Sequence, residues 1–528
     1  MCMLTLIIKM KKMKTKKISS LFLLSVLIAS ITSCNEGFLD ENPTTFVTPN
    51  ALLVDKNGAE TYLIGAYDAV QNIVSSGGNG VDGWAIHWGT IGTDEVVVPP
   101  WGGDRKLIYL QQLTPTNNTV RSIWENLYVA LNRVNSVVDR IGAMTANQID
   151  IEDRDNFVAQ AKFLRSTINF ALVSTWENVP LIKNEVTSLD NLEVPQAAPD
   201  KVYEFIIEDL KAAAAILPAE QGGGRVTKGA AQALLGKVYL QMTGFPLNQT
   251  DKFALASAIL KDVMDSGVYN LLASYPDVFS LDNEQSVEMV YSIGMEGPGK
   301  NEGGLLSTFY GPNGNVNNGG GWGTCFINQN FEASYDRDDI RLLNNIAKHN
   351  ANDWTPEDGM SNPDAWTVAK NNWRGWKWHA PQDGASPNDT PFDNPYIRYA
   401  DVLLMYAEAL NGQGLLTQEV IDMTVNKLRS RARMTPTAVP DMVLGSSEEN
   451  ATALLDERRK ELCLEGWRRN DLIRFGKYKE AISGITQGGP NAGDPGTEYQ
   501  DFEIRWPVPN SEIQINPSLD PDLSPGYY

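Results

Sequence analysis

Histidine is nearly absent from this chain. Only His87, His349 and His379 occur in 528 residues, far apart and in no HExxH or paired-ligand spacing. That pattern argues against a zinc site. Cysteine is almost as scarce, with Cys2, Cys34, Cys325 and Cys463. One disulfide is available to Cys325 and Cys463, but a disulfide scaffold is not. Basic runs are missing too. Six of the lysines fall within residues 1–33, so the remainder carries 38 basic against 65 acidic residues, a net of −27. A protein that tracks phosphates needs a basic stripe, so nucleic acid is excluded as a partner. No GxSxG elbow occurs. The glycines at 224 and 229 have P-loop spacing, but Ala230 and Ala231 stand where Lys and Ser/Thr are required. No cofactor is implied by any of these patterns.

The one long apolar run is at the start. Residues 14–34, KTKKISSLFLLSVLIASITSC, place Lys14, Lys16 and Lys17 before an apolar stretch of 11 residues, 21–31. A bilayer needs roughly 20 residues to be spanned, so this is an export signal and not a spanning helix. It ends in Ile31, Thr32, Ser33 and Cys34, which resembles a lipobox. Residues 1–33 are therefore expected to be removed, with Met13 the natural initiator, and Cys34 to be acylated. Several acyl chains on one residue give a durable membrane anchor.

Beyond a short polar tether, helical periodicity dominates. Ile123, Leu127, Leu131, Val134, Val138 and Ile141 recur at three and four residues, as do Phe157, Ala161, Leu164, Ile168 and Leu172. Each predicts an amphipathic helix with one buried stripe. Asp200 is expected to cap a helix that stops at Pro218, and Thr227 one that Gly244 closes. A further helix is expected over 399–410 and another over 454–465. Ala231 and Gly236, and Ala400, Ala407 and Ala409, sit where helices would approach closely. Paired helices with small contacts are similar to tetratricopeptide units, although the register is irregular. Three segments break the pattern: residues 73–103, 294–323 and 350–394 are rich in Gly, Asn, Pro and Trp and longer than ordinary connections. Long loops on a rigid frame commonly carry function.

Most tryptophans fall in these loops: Trp84, Trp88 and Trp101 in the first, Trp322 in the second, and Trp354, Trp366, Trp373, Trp376 and Trp378 in the third. An indole in a polar loop offers a flat face on which the C–H side of a pyranose stacks, while polar neighbours read its hydroxyls. Trp84, Trp88, Trp101 and Trp322 are the first candidates, with Asp104 as polar reader and Trp373 and Trp376 next. The competing reading is that these rings seal the loops onto the helices. Asp94 and Glu95 could be offered as a glycosidase pair, but neighbours on an extended stretch point opposite ways and read as structural. Residues 457–476, ERRKELCLEGWRRNDLIRFG, mix dense charge with apolar positions. Their acids and bases are expected to pair internally, with Glu461 and Glu465 on one face and Arg458 within reach of Glu461, as a lattice that closes the fold.

That last segment resembles the C-terminal signature of the SusD/RagB family. RSIWENLYVALNRVN from Arg121, AKFLRSTINFALVSTWENVPLI from Ala161, GRVTKGAAQALLGKVYLQM from Gly224, NPYIRYADVLLMYAEALN from Asn394 and WPVPNSEIQINPSL from Trp506 resemble further family blocks in order. The resemblance implies an all-α, SusD-like fold of tetratricopeptide-like helical pairs with long irregular loops, in a single domain over 34–528. It also implies a cell-surface, lipid-anchored outer-membrane protein without catalytic activity, which captures oligosaccharides or polysaccharides and passes them to a SusC-like TonB-dependent transporter. Around Trp373 the chain has NNWRGWKWH where relatives show a simpler Lys-Tyr stretch, so the resemblance bears on the role and not on the sugar. The rival readings are a helical-repeat lipoprotein scaffold for proteins and, more remotely, a glycoside hydrolase.

Overall fold

The computed structural model describes residues 48–74, 89–98, 103–188, 192–297, 299–300, 302–312, 314–318, 320–347, 373–380, 384–387, 389–485 and 499–528. The leader with Cys34, and Trp84, Trp88, Trp101, Trp354 and Trp366, lie outside the described residues. Pro49–Leu52 makes a single helical turn. Residues Asp55–Tyr528 form one compact unit.

The frame of that unit is a run of helices: α1 (Lys56–Val74), α2 (Asn118–Gly142), α3 (Ile151–Trp176), α4 (Pro199–Ile216), α5 (Lys228–Thr243), α6 (Lys252–Asp265), α7 (Tyr399–Gly412), α8 (Val425–Ala432), α9 (Ser447–Leu462) and α10 (Arg468–Arg474). From α1 to α7 each packs on the next in sequence. This is the stacked-pair arrangement that a solenoid uses to bury a continuous core. No described helix is long and apolar enough to cross a membrane.

Local chemistry sets the helix starts. The Asn117 carboxamide oxygen accepts from Val120 N at 3.1 Å, and Thr227 Oγ1 accepts from Ala230 N at 3.2 Å. Ser446 and Glu449 form a reciprocal capping box at the head of α9. Each such cap is worth about 1 kcal/mol. Asp200 is not a cap, contrary to expectation. Ala198 holds that position with Pro199 in the first turn, where a missing N–H costs nothing.

The stripe expected on α2 is buried along Ile123, Leu127, Leu131, Val134 and Ile141, with Val137 rather than Val138 inside. For α3 the single stripe was too modest an expectation. Beyond Phe157 it is buried on nearly every side, because α1, α2 and α4 all pack against it. Its polar residues are paired internally. Arg165 grips Asp209 on α4 with a two-pronged fork at 2.7 and 2.9 Å and donates to the Lys183 carbonyl at 2.8 Å.

The small residues act as expected. A Cβ on Gly236 of α5 would lie 2.6 Å from Leu260 of α6. Gly236→Val is therefore expected to lower stability by about 1–3 kcal/mol through overpacking, read as a shift in the urea midpoint at unchanged slope.

Among the described residues six short strands pair antiparallel and tie the irregular segments to this frame. β1 (Val96–Val97) pairs with β5 (Phe326–Ile327), and β2 (Val179–Pro180) with β3 (Gln196–Ala197). β4 (Met289–Ile293) pairs with β6 (Asn394–Arg398), setting Met289 opposite Arg398 at the head of α7.

Candidate functional site

A buried lattice of charge sits beneath the loops. Arg398 is wholly buried and holds three carboxylates: Glu465 at 2.8 Å, Glu288 at 2.9 Å and Glu461 at 3.3 Å. Arg431 bridges Glu288 and Glu461, and Arg341 joins Asp339, Glu457 and Glu461. Burial alone would raise the Glu461 carboxyl, but Arg431, Arg398 and Arg341 hold it down at about 2.

The signature segment thus does form a lattice, but not mainly within itself. Most partners are Glu288 just before β4, Arg429 and Arg431 on α8, Asp339 and Arg341 at the start of the short helix Ile340–Asn345, and Arg398 at the end of β6, which explains why a closing role needs residues so distant in sequence. Two expected details fail. Arg458 reaches Asp401 (2.8 Å) and Asp471 (2.9 Å) rather than Glu461. Helix α9 ends at Leu462, and Leu464 turns the chain with φ 64°, so Glu465 does not share a helical face with Glu461.

Asp94 and Glu95 belong to this framework. Burial pushes Asp94 up, but Arg468 (2.7 Å) and Arg459 (2.9 Å) overcome it and hold the carboxyl at about 2. Glu95 is 1% exposed, accepts from Leu464 N at 3.1 Å, and is pushed up to about 8 by burial. Neither faces a cleft together with the other, in keeping with the structural reading.

The lattice positions the third irregular segment. Lys377 is buried and donates to the carbonyls of Glu461 (3.1 Å) and Cys463 (2.9 Å) and to Glu465 (2.5 Å). Ala347 N donates to the Arg374 carbonyl at 2.9 Å, Trp376 N to Asn345 O at 2.8 Å, and Ile327 N to the Trp373 carbonyl at 2.8 Å. Trp373 and Trp376 are thereby held half-buried, with Trp376 stacked on His379 at 4.7 Å. Trp378 is a core residue at 4% exposure, edge-on to Phe279 at 5.3 Å, so for this ring the sealing role prevails.

Trp322 is different. It is 41% exposed, and it stands on a stretch where only glycine fits behind it: a Cβ on Gly321 would lie 2.3 Å from the Thr308 carbonyl oxygen. The indole is offered to solvent because its backbone lies flat against the short helix Leu306–Tyr310, with Trp322 N donating to Thr308 O at 2.7 Å.

Three segments converge here. Arg374 donates from Nε to the Gly323 carbonyl at 3.2 Å, next to Trp322, and its guanidinium lies 3.5 Å from the centre of the Phe326 ring. Arg105, beside Asp104, lies over Phe309 at 5.4 Å. Burial lowers both guanidinium pKa values, Arg374 to about 9. Between them, burial pushes the Cys325 thiol up to about 12 against the pull of Arg105 and Arg374, so it is protonated and not a nucleophile. Cys325 and Cys463 are both free and buried; the disulfide left open by the sequence is not formed. Asp104 is half-buried at the start of the short helix Asp104–Tyr109, and its Oδ2 accepts from Asn118 N at 3.2 Å, bracing α2.

So Asp104, Trp322 and Trp373 come from three separate segments whose neighbours meet around one thiol. Arg105, Arg374 and Lys377 were missed by sequence reading. Their only signal was a basic residue embedded among loop aromatics, as in Trp-Arg-Gly-Trp-Lys-Trp. Among the described residues no group of His, Cys, Asp and Glu is placed to hold a metal ion. The larger described cavities lie away from these side chains, one of about 600 Å³ beside Asp94 and α9, the other of about 710 Å³ along α1.

Comparison with known proteins agrees with this architecture. A family model described as "SusD family" matches residues 369–527, and one described as "Starch-binding associating with outer membrane" matches residues 102–240. SusD-like protein P25 of Formosa agariphila is 24% identical over 555 aligned positions, covering 95% of this chain and 98% of the relative. The crystal structure of a SusD homolog from Bacteroides thetaiotaomicron superposes with a TM-score of 0.76 at 24% identity, covering 89% of this chain and 97% of that one. A laminarin-binding SusD-like protein superposes with a TM-score of 0.69 at 24% identity, covering 88% and 98%. The two family models fall on the α2–α5 frame and on the α7–α10 lattice with its C-terminal segment, and the fold between them is the same. The chain belongs to the SusD/RagB family.

Proposed function

We propose that this chain is a lipid-anchored protein of the outer-membrane surface that captures oligosaccharides or polysaccharides, without cleaving them, and delivers them to a SusC-like TonB-dependent transporter. The observation that carries the reading is the exposed Trp322 indole, held on a glycine-flattened stretch whose next residue, Gly323, accepts from Arg374. Such a platform binds the apolar face of a sugar while charged and amide neighbours read its hydroxyls. One matching family model is described as starch-binding and associated with the outer membrane, and one solved neighbour is described as laminarin-binding. Trp84, Trp88 and Trp101 complete the proposed site.

A glycan array followed by calorimetric titration tests this. Trp322→Ala is expected to weaken the best array ligand about tenfold, since stacking contributes about 0.5–1.5 kcal/mol beyond the buried area lost with the ring. Circular dichroism should be unchanged. Trp373→Ala and Trp376→Ala are expected to act in the same direction. Unchanged affinity in all three, or release of reducing sugar in proportion to protein, would refute the reading. Anchoring is tested separately: Cys34→Ala should yield a folded protein that leaves the membrane fraction, because no other cysteine is placed to be acylated.

A further inference from the structure

The 710 Å³ cleft along α1 is a second, chemically distinct feature. One wall is the face of α1 carrying Ile64, Tyr67, Asp68 and Gln71, spaced three and four apart so that they line up. The other is the end of β4 and the loop that follows it, pinned by Gln71 Nε2, which donates to the carbonyls of Gly294 (2.8 Å) and Glu302 (3.3 Å).

Six carboxylates line the cleft: Asp68, Asp282, Glu284, Glu296, Glu302 and Asp393. Among the described residues the one lining cation, Arg225, is already taken by Glu60 at 2.7 Å, while Lys300 pairs with Glu296. Two of the acids are adjacent at the base. Asp393 N donates to Glu284 Oε1 at 2.7 Å, and the Asp393 carboxylate accepts from Met295 N (2.7 Å) and Gln285 Nε2 (2.8 Å). Burial, then the neighbouring Asp393, pushes Glu284 up to about 8; burial pushes Asp393 up to about 6. Two half-buried acids side by side resist ionising together unless a cation lies between them.

Ser292 points the same way independently. It is 7% exposed, lines this cleft, and among the described residues its Oγ has no hydrogen-bond partner. A buried hydroxyl left unpaired calls for a reason, and a missing ligand is one.

We infer that this cleft is a binding site for an amine-bearing saccharide, whose ammonium group is received by Glu284, Asp393 and Ser292 and whose ring lies against Ile64 and Tyr67. The inference rests on the glycan-capture reading only for the saccharide class. It deepens that reading by adding a site selective for positive charge, which uronic and sulfated sugars would avoid.

Calorimetric titration of the purified chain with a fully deacetylated β-1,4-glucosamine hexamer and with its fully N-acetylated counterpart decides it. The deacetylated hexamer should bind at least tenfold more tightly, and the difference should shrink as salt rises. The double variant Asp68→Asn, Glu302→Gln should lose at least tenfold, because it removes rim charge without touching the core. Ser292→Ala should lose about threefold while the melting temperature stays level or rises, since among the described residues the hydroxyl bonds to nothing. The same variants should keep their affinity for the neutral array ligand. Equal binding of the two hexamers, or variants with unchanged affinity for the amine, would overturn the inference while leaving capture at Trp322 intact. Loss of neutral binding in wild type with amine binding retained would instead count against the loop-face reading alone.

Discussion

Arg398→Met is expected to destabilise the protein by about 3–5 kcal/mol, the largest effect of any single substitution considered for this chain. The guanidinium satisfies parts of Glu288, Glu461 and Glu465, all nearly inaccessible to solvent. Removing it leaves Glu288 to Arg431, Glu461 to Arg431 and Arg341, and Glu465 to Lys377, and because Arg341 also serves Asp339 and Glu457 the interior then holds more negative charge than those cations balance. Arg398→Lys should rescue only part of the loss, because an ammonium cannot reproduce the fork that reaches two oxygens of Glu465 at 2.8 and 2.9 Å. Denaturant titration of both variants measures this. The exposed helical pair Arg121–Glu125 supplies the control, and Arg121→Met should leave the midpoint within error. Equal midpoints for wild type and Arg398→Met would refute the closing role of the lattice.

Stability should also pass through a maximum in mildly acidic solution and fall on both sides. Asp471 and Glu461 are buried and Asp94 is half-buried, which by itself would raise them, yet arginines hold each at about 2. A carboxyl depressed in the folded state contributes stability above its unfolded value, and that contribution disappears as pH falls from about 4 toward 2. Glu95 acts in the opposite sense. Burial pushes it up to about 8, so the folded state holds a proton that the unfolded state releases near its ordinary value of 4.5. Its contribution is complete below that value and is lost as pH rises through 8, at about 1.4 kcal/mol per unit between roughly 5 and 8. Glu95→Gln keeps an acceptor for Leu464 N and cannot ionise. It should make the alkaline limb shallower, the remainder coming from the raised Glu284 and Asp393, and leave the acid limb in place, as thermal melts across pH 3 to 9 would show. An unchanged alkaline limb would mean that Glu95 is not the group responsible.

The helical frame was legible in the residues because it depends on neighbours three and four positions apart. The α2 stripe, the Thr227 cap and the close approach at Gly236 are all local consequences of side-chain size and hydrogen-bonding capacity. The lattice was only half legible. Glu457, Glu461 and Glu465 announced that charge would be buried, but the cations that neutralise them lie as far away as Arg341 and Arg398, and pairing across more than 60 positions leaves no periodic trace. The Arg458 assignment failed for the same reason. On a helix an (i, i+3) partner is near, yet a fully buried guanidinium takes the carboxylates that complete its fork, and here those were Asp401 and Asp471.

The loop face divides the same way. Composition alone determined that tryptophans would gather in irregular segments and that the protein would be strongly acidic. Which indole faces solvent was decided only by tertiary structure. Trp378 and Trp322 have similar glycine-rich, polar surroundings in sequence, but Phe279 and Phe392 close over the first, while the flat backbone at Gly321 leaves the second exposed. The α1 cleft was not visible at all, since Asp68, Glu284 and Asp393 lie more than 100 residues apart and meet only when β4 pairs with β6 beside α1. Local chemistry determines helices, caps and the approach of small residues, because those interactions act within a turn or two. Burial, charge pairing and the shape of a site follow from which distant segments share the core, and that is settled only when the chain has folded.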